Sequence, residues 1–125
     1  MKSTLYGIGV GPGDKELLTV KAVRAIENSD VVVAPSAMEG GESIALETAK
    51  EYIKEGTEVV IKHFPMGKKN RIEKAKEAYD FIEEKLKEGK NVSFLTIGDP
   101  YVYSTYIHML KHMEERGFHV ETVPG

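Results

Sequence analysis

Five short apolar runs alternate with four helical patterns along the chain, and this alternation restricts the fold more than any other feature. The runs are Thr4 to Val10, Asp30 to Pro35, Thr57 to Phe64, Asn91 to Ile97 and His119 to Pro124. Their residues are near-continuously apolar or β-branched, which suits buried parallel strands better than half-exposed ones. Between them, Leu17, Leu18, Ala22 and Ile26 share one face of a first helix, and Ala45, Ala49, Tyr52 and Ile53 one face of a second. Ile72, Ala75, Tyr79, Ile82 and Leu86 step by threes and fours along a third, and Tyr106, Leu110 and Met113 line a fourth. Gly56, Gly89 and Gly117 each follow a helical pattern and precede a strand, where a left-handed cap favours glycine. The spacing predicts one α/β domain over residues 1–125, a five-stranded, mainly parallel sheet with right-handed crossovers and helices on both faces.

Composition narrows the function. The chain has 125 residues, 41% apolar and 30% charged, which is enough for a real core. A net charge of -3 argues against a nucleic-acid partner. With no cysteine, disulfides, thiolate catalysis and cysteine-based zinc sites are excluded. The apolar runs are too short to span a bilayer, and "MKSTLYGIG" lacks the apolar core of a signal peptide, so the expectation is a cytoplasmic protein with no membrane partner. Abundant Lys and Glu with no Gln lean towards a thermophilic source.

In parallel α/β sheets, ligands collect beyond the carboxyl ends of the strands. The four corners there read "GVGPGD", "PSAMEGGES", "FPMGKKNR" and "GDPYVYST", crowded with Gly and Pro, whereas the opposite corners are charged turns. The asymmetry points to a functional edge. "GIGVGPGD" fails the dinucleotide spacing, because Pro12 and Asp14 stand where the third glycine belongs. The acidic residue that would hold a ribose after the second strand is missing, which also argues against a Rossmann-type methyltransferase. No P-loop ending follows. What remains is a rigid loop of small side chains, with Asp14 read as the cap of a helix starting near Glu16. At Gly98-Asp99-Pro100 two readings stand: the glycine lets a ligand lie on the backbone, or Asp99 caps the next helix.

His108 and His112 have metal-ligand spacing but no completing carboxylates, so they read as a solvated helix face and no metal is expected. His63, Lys68, Lys69 and Arg71 gather at the third corner, where an anionic substrate would find them. No catalytic triad, paired carboxylates or cysteine nucleophile can be built, so no catalytic side chain is assigned.

Together, "YGIGVGPGDKELLTVKAVRAIENSDVVVAP", "FLTIGDPYVYSTY" and "VETVPG" closely resemble the tetrapyrrole methylase family, end to end. Within it, "GGESIA", "FPM" and "GDPYVYSTY" look most like the precorrin-2 (or cobalt-factor II) C20-methyltransferases of vitamin B12 synthesis. The resemblance implies methyl transfer from S-adenosylmethionine to a tetrapyrrole carbon, in a homodimer of two-domain subunits. It also implies that residues 1–125 are the N-terminal domain, with a second domain absent and the fragment inactive by itself. Carried over residue by residue, Pro12, Ile97, Gly98, Asp99 and Val102 match cofactor contacts, with Ser104 and Thr105 as neighbours that complete them. His63, Lys68, Lys69 and Arg71 would neutralise substrate carboxylates. Such chemistry needs chiefly near-attack geometry, worth roughly 7–11 kcal/mol. The alternatives are a sibling tetrapyrrole methylase or a diphthine synthase-like enzyme and, from another class, a non-catalytic α/β domain that binds a small ligand or self-associates.

Overall fold

The computed structural model describes residues 3–9, 18–36, 44–63, 68–96 and 100–123. Strands β1 (Thr4–Gly9), β2 (Val31–Ser36), β3 (Glu58–His63), β4 (Val92–Thr96) and β5 (His119–Val123) alternate with helices α1 (Val20–Glu27), α2 (Ile44–Ala49), α3 (Lys68–Lys87) and α4 (Pro100–Glu115). A 3-10 turn, Lys50–Tyr52, extends α2. The strands form one sheet in the order β3-β2-β4-β1-β5, and every neighbouring pair is parallel. The expected class therefore holds, with a sheet wholly parallel rather than mainly so.

Strand periodicity sorts the core into two layers. Leu5, Val31, Val33, Val92 and Phe94 project to one face, where Ala78, Ile82 and Leu86 of α3 and Met109 and Met113 of α4 cover them. Ile8, Val32, Ala34, Leu95 and Val123 project to the other, beneath Ala22, Ala25 and Ile26 of α1 and Ala49 of α2. Helices after β1 and β2 thus lie on one side, and those after β3 and β4 on the other. Phe94 and Ile82 are wholly buried, and each such side chain contributes about 1.5–3 kcal/mol.

Local signals set the element ends. Gly89 (φ 85°) and Gly117 (φ 88°) end α3 and α4. The amide of Gly89 donates to Leu86 O and that of Lys90 to Lys85 O; Gly117 and Phe118 repeat the pattern on Glu114 O and Met113 O. These paired bonds satisfy carbonyls that a helix end leaves open. Gly56 (φ 90°) is also left-handed, but it sits in a tight turn closed by Thr57 N–H to Lys54 O, not on a helix end. The start of α1 differs from expectation too. It begins at Val20, and the Thr19 hydroxyl accepts from the amide of Ala22 at 3.1 Å. Leu18 precedes the helix, yet it packs against the same core cluster as Ala22 and Ile26. Asp14 and Glu16 lie outside the described residues.

The outer strands correct a second expectation. β3 was read as a buried strand, yet it is an edge, and Val59 and Ile61 on its outer run are 41% and 44% exposed. β5 is the other edge, with only Val123 of its residues buried. At the amino end of the sheet, Asn91 ties three strands together. Its Oδ1 accepts from Thr4 N–H at 2.9 Å, its carbonyl accepts from the amides of Asp30 and Val31, and its own amide donates to the Asp30 carboxylate at 2.9 Å.

Candidate functional site at the carboxyl end of the sheet

β1 and β4 lie side by side at the centre of the sheet, in register from Leu5↔Val92 to Gly9↔Thr96. After β1 the chain leaves to the α1/α2 face, and after β4 to the α3/α4 face. Helices packed on opposite faces thus follow two neighbouring parallel strands, the topological switch point at which ligands bind in this architecture. The glycine loop and the Gly98-Asp99-Pro100 corner follow those two strands. Sequence alone put both corners on one edge; the strand order adds that they follow neighbouring strands.

The described ends of these two strands, Ile8-Gly9 and Leu95-Thr96, carry no charge. Ile8 and Leu95 are fully buried, and Thr96 is 6% exposed. The Thr96 hydroxyl donates to the carbonyl of Ile8 at 3.3 Å, a side-chain tie across the last rungs of the β1–β4 ladder. Sequence reasoning passed over Thr96 as one more strand residue. Its signal was a hydroxyl, the second after Ser93, closing the otherwise apolar run "VSFLT".

Of the expected cofactor contacts, Pro12, Ile97, Gly98 and Asp99 lie outside the described residues. Val102, Ser104 and Thr105 fall in the first turns of α4, directly after the β4 corner; their side chains are outside the description. Among the expected substrate contacts, His63 is the last residue of β3, in register with Ser36 at the end of β2. Lys68, Lys69 and Arg71 open α3, the next helix. The backbone thus puts all four at the carboxyl end of the sheet, as expected. β3 stands two strands from β4, about 10 Å away at ordinary strand spacing.

His108 is exposed, as read, but His112 is half-buried, its ring stacked on Tyr79 with centroids 5.2 Å apart. Among the described residues no group of three His, Asp or Glu side chains could hold a metal ion. No helix of the described residues is long and apolar enough to cross a membrane. The amino end of the sheet carries charged turns, with Asp30, Lys54, Glu55, Glu58 and Lys90 around a shallow depression.

An all-parallel five-stranded sheet covered by helices on both faces defines a single α/β domain. The chain belongs to the tetrapyrrole (corrin/porphyrin) methylases, whose family model matches residues 4–125. It is 43% identical over 122 residues to a probable cobalt-precorrin-2 C(20)-methyltransferase of Methanocaldococcus jannaschii, covering 97% of this chain and 52% of that protein. It is 35% identical over 127 residues to the cobalt-precorrin-2 C(20)-methyltransferase of Salmonella typhimurium, covering 100% and 53%. Among solved structures, a cobalt precorrin-4 methyltransferase superposes with a TM-score of 0.72 at 28% identity, covering 98% of this chain and 45% of that one. The uroporphyrin-III-C-methyltransferase of Thermus thermophilus gives 0.73 at 25% identity, covering 100% and 48%. The chain spans about half the length of the curated relatives it matches.

Proposed function

We propose that this chain is the first of two α/β domains of an S-adenosylmethionine-dependent methyltransferase acting at C20 of precorrin-2 or its cobalt form, in cobalamin biosynthesis. The observation that carries the reading is similarity to two cobalt-precorrin-2 C(20)-methyltransferases over 97% and 100% of the chain. Relatives acting elsewhere support the same branch by their greater distance. A cobalt-precorrin-4 C(11)-methyltransferase is 30% identical and a uroporphyrinogen-III C-methyltransferase 31%.

The described residues fit such a cofactor. S-adenosylmethionine supplies an activated methyl on a sulfonium. Pro12, Ile97, Gly98, Asp99 and Val102 would bind it, with Ser104 and Thr105 beside them. The described strand ends beside those positions, Ile8-Gly9 and Leu95-Thr96, carry no charge. His63, Lys68, Lys69 and Arg71 would take the substrate's carboxylates two strands away. The chain's part is orientation and exclusion of water, which requires no proton-transferring side chain. The dimer implied by the resemblance belongs to the same proposal.

The test offers the full-length protein S-adenosylmethionine with precorrin-2, cobalt-factor II or a protein acceptor, and reads the products by mass spectrometry. A single added methyl on either tetrapyrrole is expected. Methylation of the protein acceptor alone, or of neither tetrapyrrole, would refute the reading. Light scattering reports the dimer.

A further inference from the structure

We propose that β3 pairs with β3 of a second copy of this chain, antiparallel and centred on Val60, so that two sheets join edge to edge. The inference deepens the dimer reading above and rests on it, independently of methyl transfer. β3 is an outer strand, and among the described residues no strand lies beyond it. Val59 and Ile61 are 41% and 44% exposed there, whereas the other edge, β5, exposes only His119, Glu121 and Thr122. An exposed apolar edge strand is a template for another chain unless charges block it. The charges on β3 turn aside. Glu58 and Lys62 point to the α3 face, where Glu58 meets Lys85 Nζ at 3.2 Å and the Lys62 ammonium lies 4.9 Å from the centre of the Phe81 ring. Val59 and Ile61 point to the opposite face, in register with Val32 and Ala34.

The backbone shows which bonds are open. The Glu58 amide donates to the Asp30 carbonyl at 3.0 Å, towards β2. Alternation along the strand directs Val60 and Lys62 the same way and leaves the amides and carbonyls of Val59 and Ile61 facing outward. A two-fold axis through Val60, perpendicular to the sheet, sets Val59 opposite the partner's Ile61, and each such pair exchanges both N–H···O bonds. The valines and isoleucines then form one continuous apolar patch on the α1/α2 face. On the α3 face the same axis sets Glu58 opposite the partner's Lys62, and Lys62 opposite the partner's Glu58, an arrangement that favours pairing. Centring the pair on Val59 or on Ile61 instead would set Glu58 or Lys62 against Val60. Charge, apolar pattern and open hydrogen bonds therefore agree on a single register.

The test uses the full-length protein. Val60→Cys, Val59→Cys and the wild type are oxidised in parallel and read on non-reducing gels. In the proposed register position 60 faces itself in a non-hydrogen-bonded pair, with Cα atoms about 4.5 Å apart, within disulfide reach. Position 59 lies diagonally from its copy, about 7–8 Å away, beyond that reach. Val60→Cys is therefore expected to cross-link above the wild-type level and Val59→Cys is not, although Val59 is the more exposed of the two. In sedimentation equilibrium, Glu58→Lys and Lys62→Glu should each raise the dimer dissociation constant about tenfold, and the double variant should return to within about threefold of the wild type. A dimeric wild type whose Val60→Cys variant does not cross-link, stronger cross-linking through Val59→Cys, or a double variant no tighter than the single ones would overturn the inference and leave the dimer itself standing. A second domain seated on β3 would give the first of these results. A monomeric wild type would overturn the inference together with the dimer, while methyl transfer is judged by its own assay.

Discussion

Ser29 and Ser93 form a hydroxyl pair whose two members are unequal, and the inequality predicts an unusual mutant series. Both residues are fully buried. Ser29 follows α1 and donates its hydroxyl proton to the Ala25 carbonyl at 2.8 Å. The Ser29 proton is therefore committed, and the bond between the two hydroxyls requires Ser93 to donate. Ser93→Ala removes one bond and leaves Ser29 with its own donor satisfied, a loss of about 1 kcal/mol. Ser29→Ala removes two bonds and strands the Ser93 hydroxyl in the core, about 2–4 kcal/mol in all. Adding Ser93→Ala to Ser29→Ala removes the stranded group. The double variant should therefore be more stable than Ser29→Ala by about 1 kcal/mol, although each single change is destabilising. Urea unfolding of the chain followed by far-ultraviolet circular dichroism measures all four proteins. Equal slopes with urea would show that stability alone has changed. A double variant less stable than Ser29→Ala, or a Ser93→Ala as damaging as Ser29→Ala, would refute this assignment of donors.

Three further outcomes follow from other regions. Gly89→Ala should cost about 1–2 kcal/mol in urea unfolding, because an added Cβ meets nothing within 4 Å and only the left-handed backbone resists it; a neutral result would refute that. Burial raises the Tyr79 phenol above its usual range, so the stability it contributes is complete below about pH 10 and is lost as pH rises through the folded-state value. Tyr79→Phe should therefore lose less melting temperature than the wild type across that alkaline range, and parallel curves would contradict this. In the full-length protein, Lys68→Glu with Lys69→Glu should raise the tetrapyrrole KM and spare cofactor affinity; an unchanged KM would remove the carboxylate-binding role of the α3 terminus.

The class of fold was legible because parallel strands announce themselves. Val31 to Ala34 is a run without polar interruption, and only burial on both faces tolerates it. Gly89 and Gly117 marked helix ends because left-handed backbone strains any other residue. The start of α1 was misread because Leu17 and Leu18 continue the helical period in the sequence, whereas the Thr19 hydroxyl accepts from the Ala22 amide and caps a helix that begins at Val20. Val59 and Ile61 were read as buried because hydrophobicity along one strand carries no information about which strand lies beside it. The same gap hid the site. The glycine loop and the Gly98 corner were visible as motifs, but their adjacency depends on β1 lying next to β4, a product of packing across nearly the whole chain. Thr96 was invisible for a related reason, since its partner is a backbone carbonyl in another strand.

The strand order also governs how the chain can assemble as it leaves the ribosome. β2 and β3 are consecutive and pair directly, so one side of the sheet can form early. β1 is the first of the five strands along the chain, yet its neighbours are β4 and β5, the last two of the five. Leu5 and Ile8, wholly covered in the finished sheet, have no partner strand until most of the chain has been synthesised. During that interval both hydrogen-bonding edges of β1 are open, the condition under which nascent strands associate wrongly. Pairing over such separations is slow, because loop closure must precede any gain from contact. β1 thus comes before its partners in the chain and is among the last strands of this sheet to be seated.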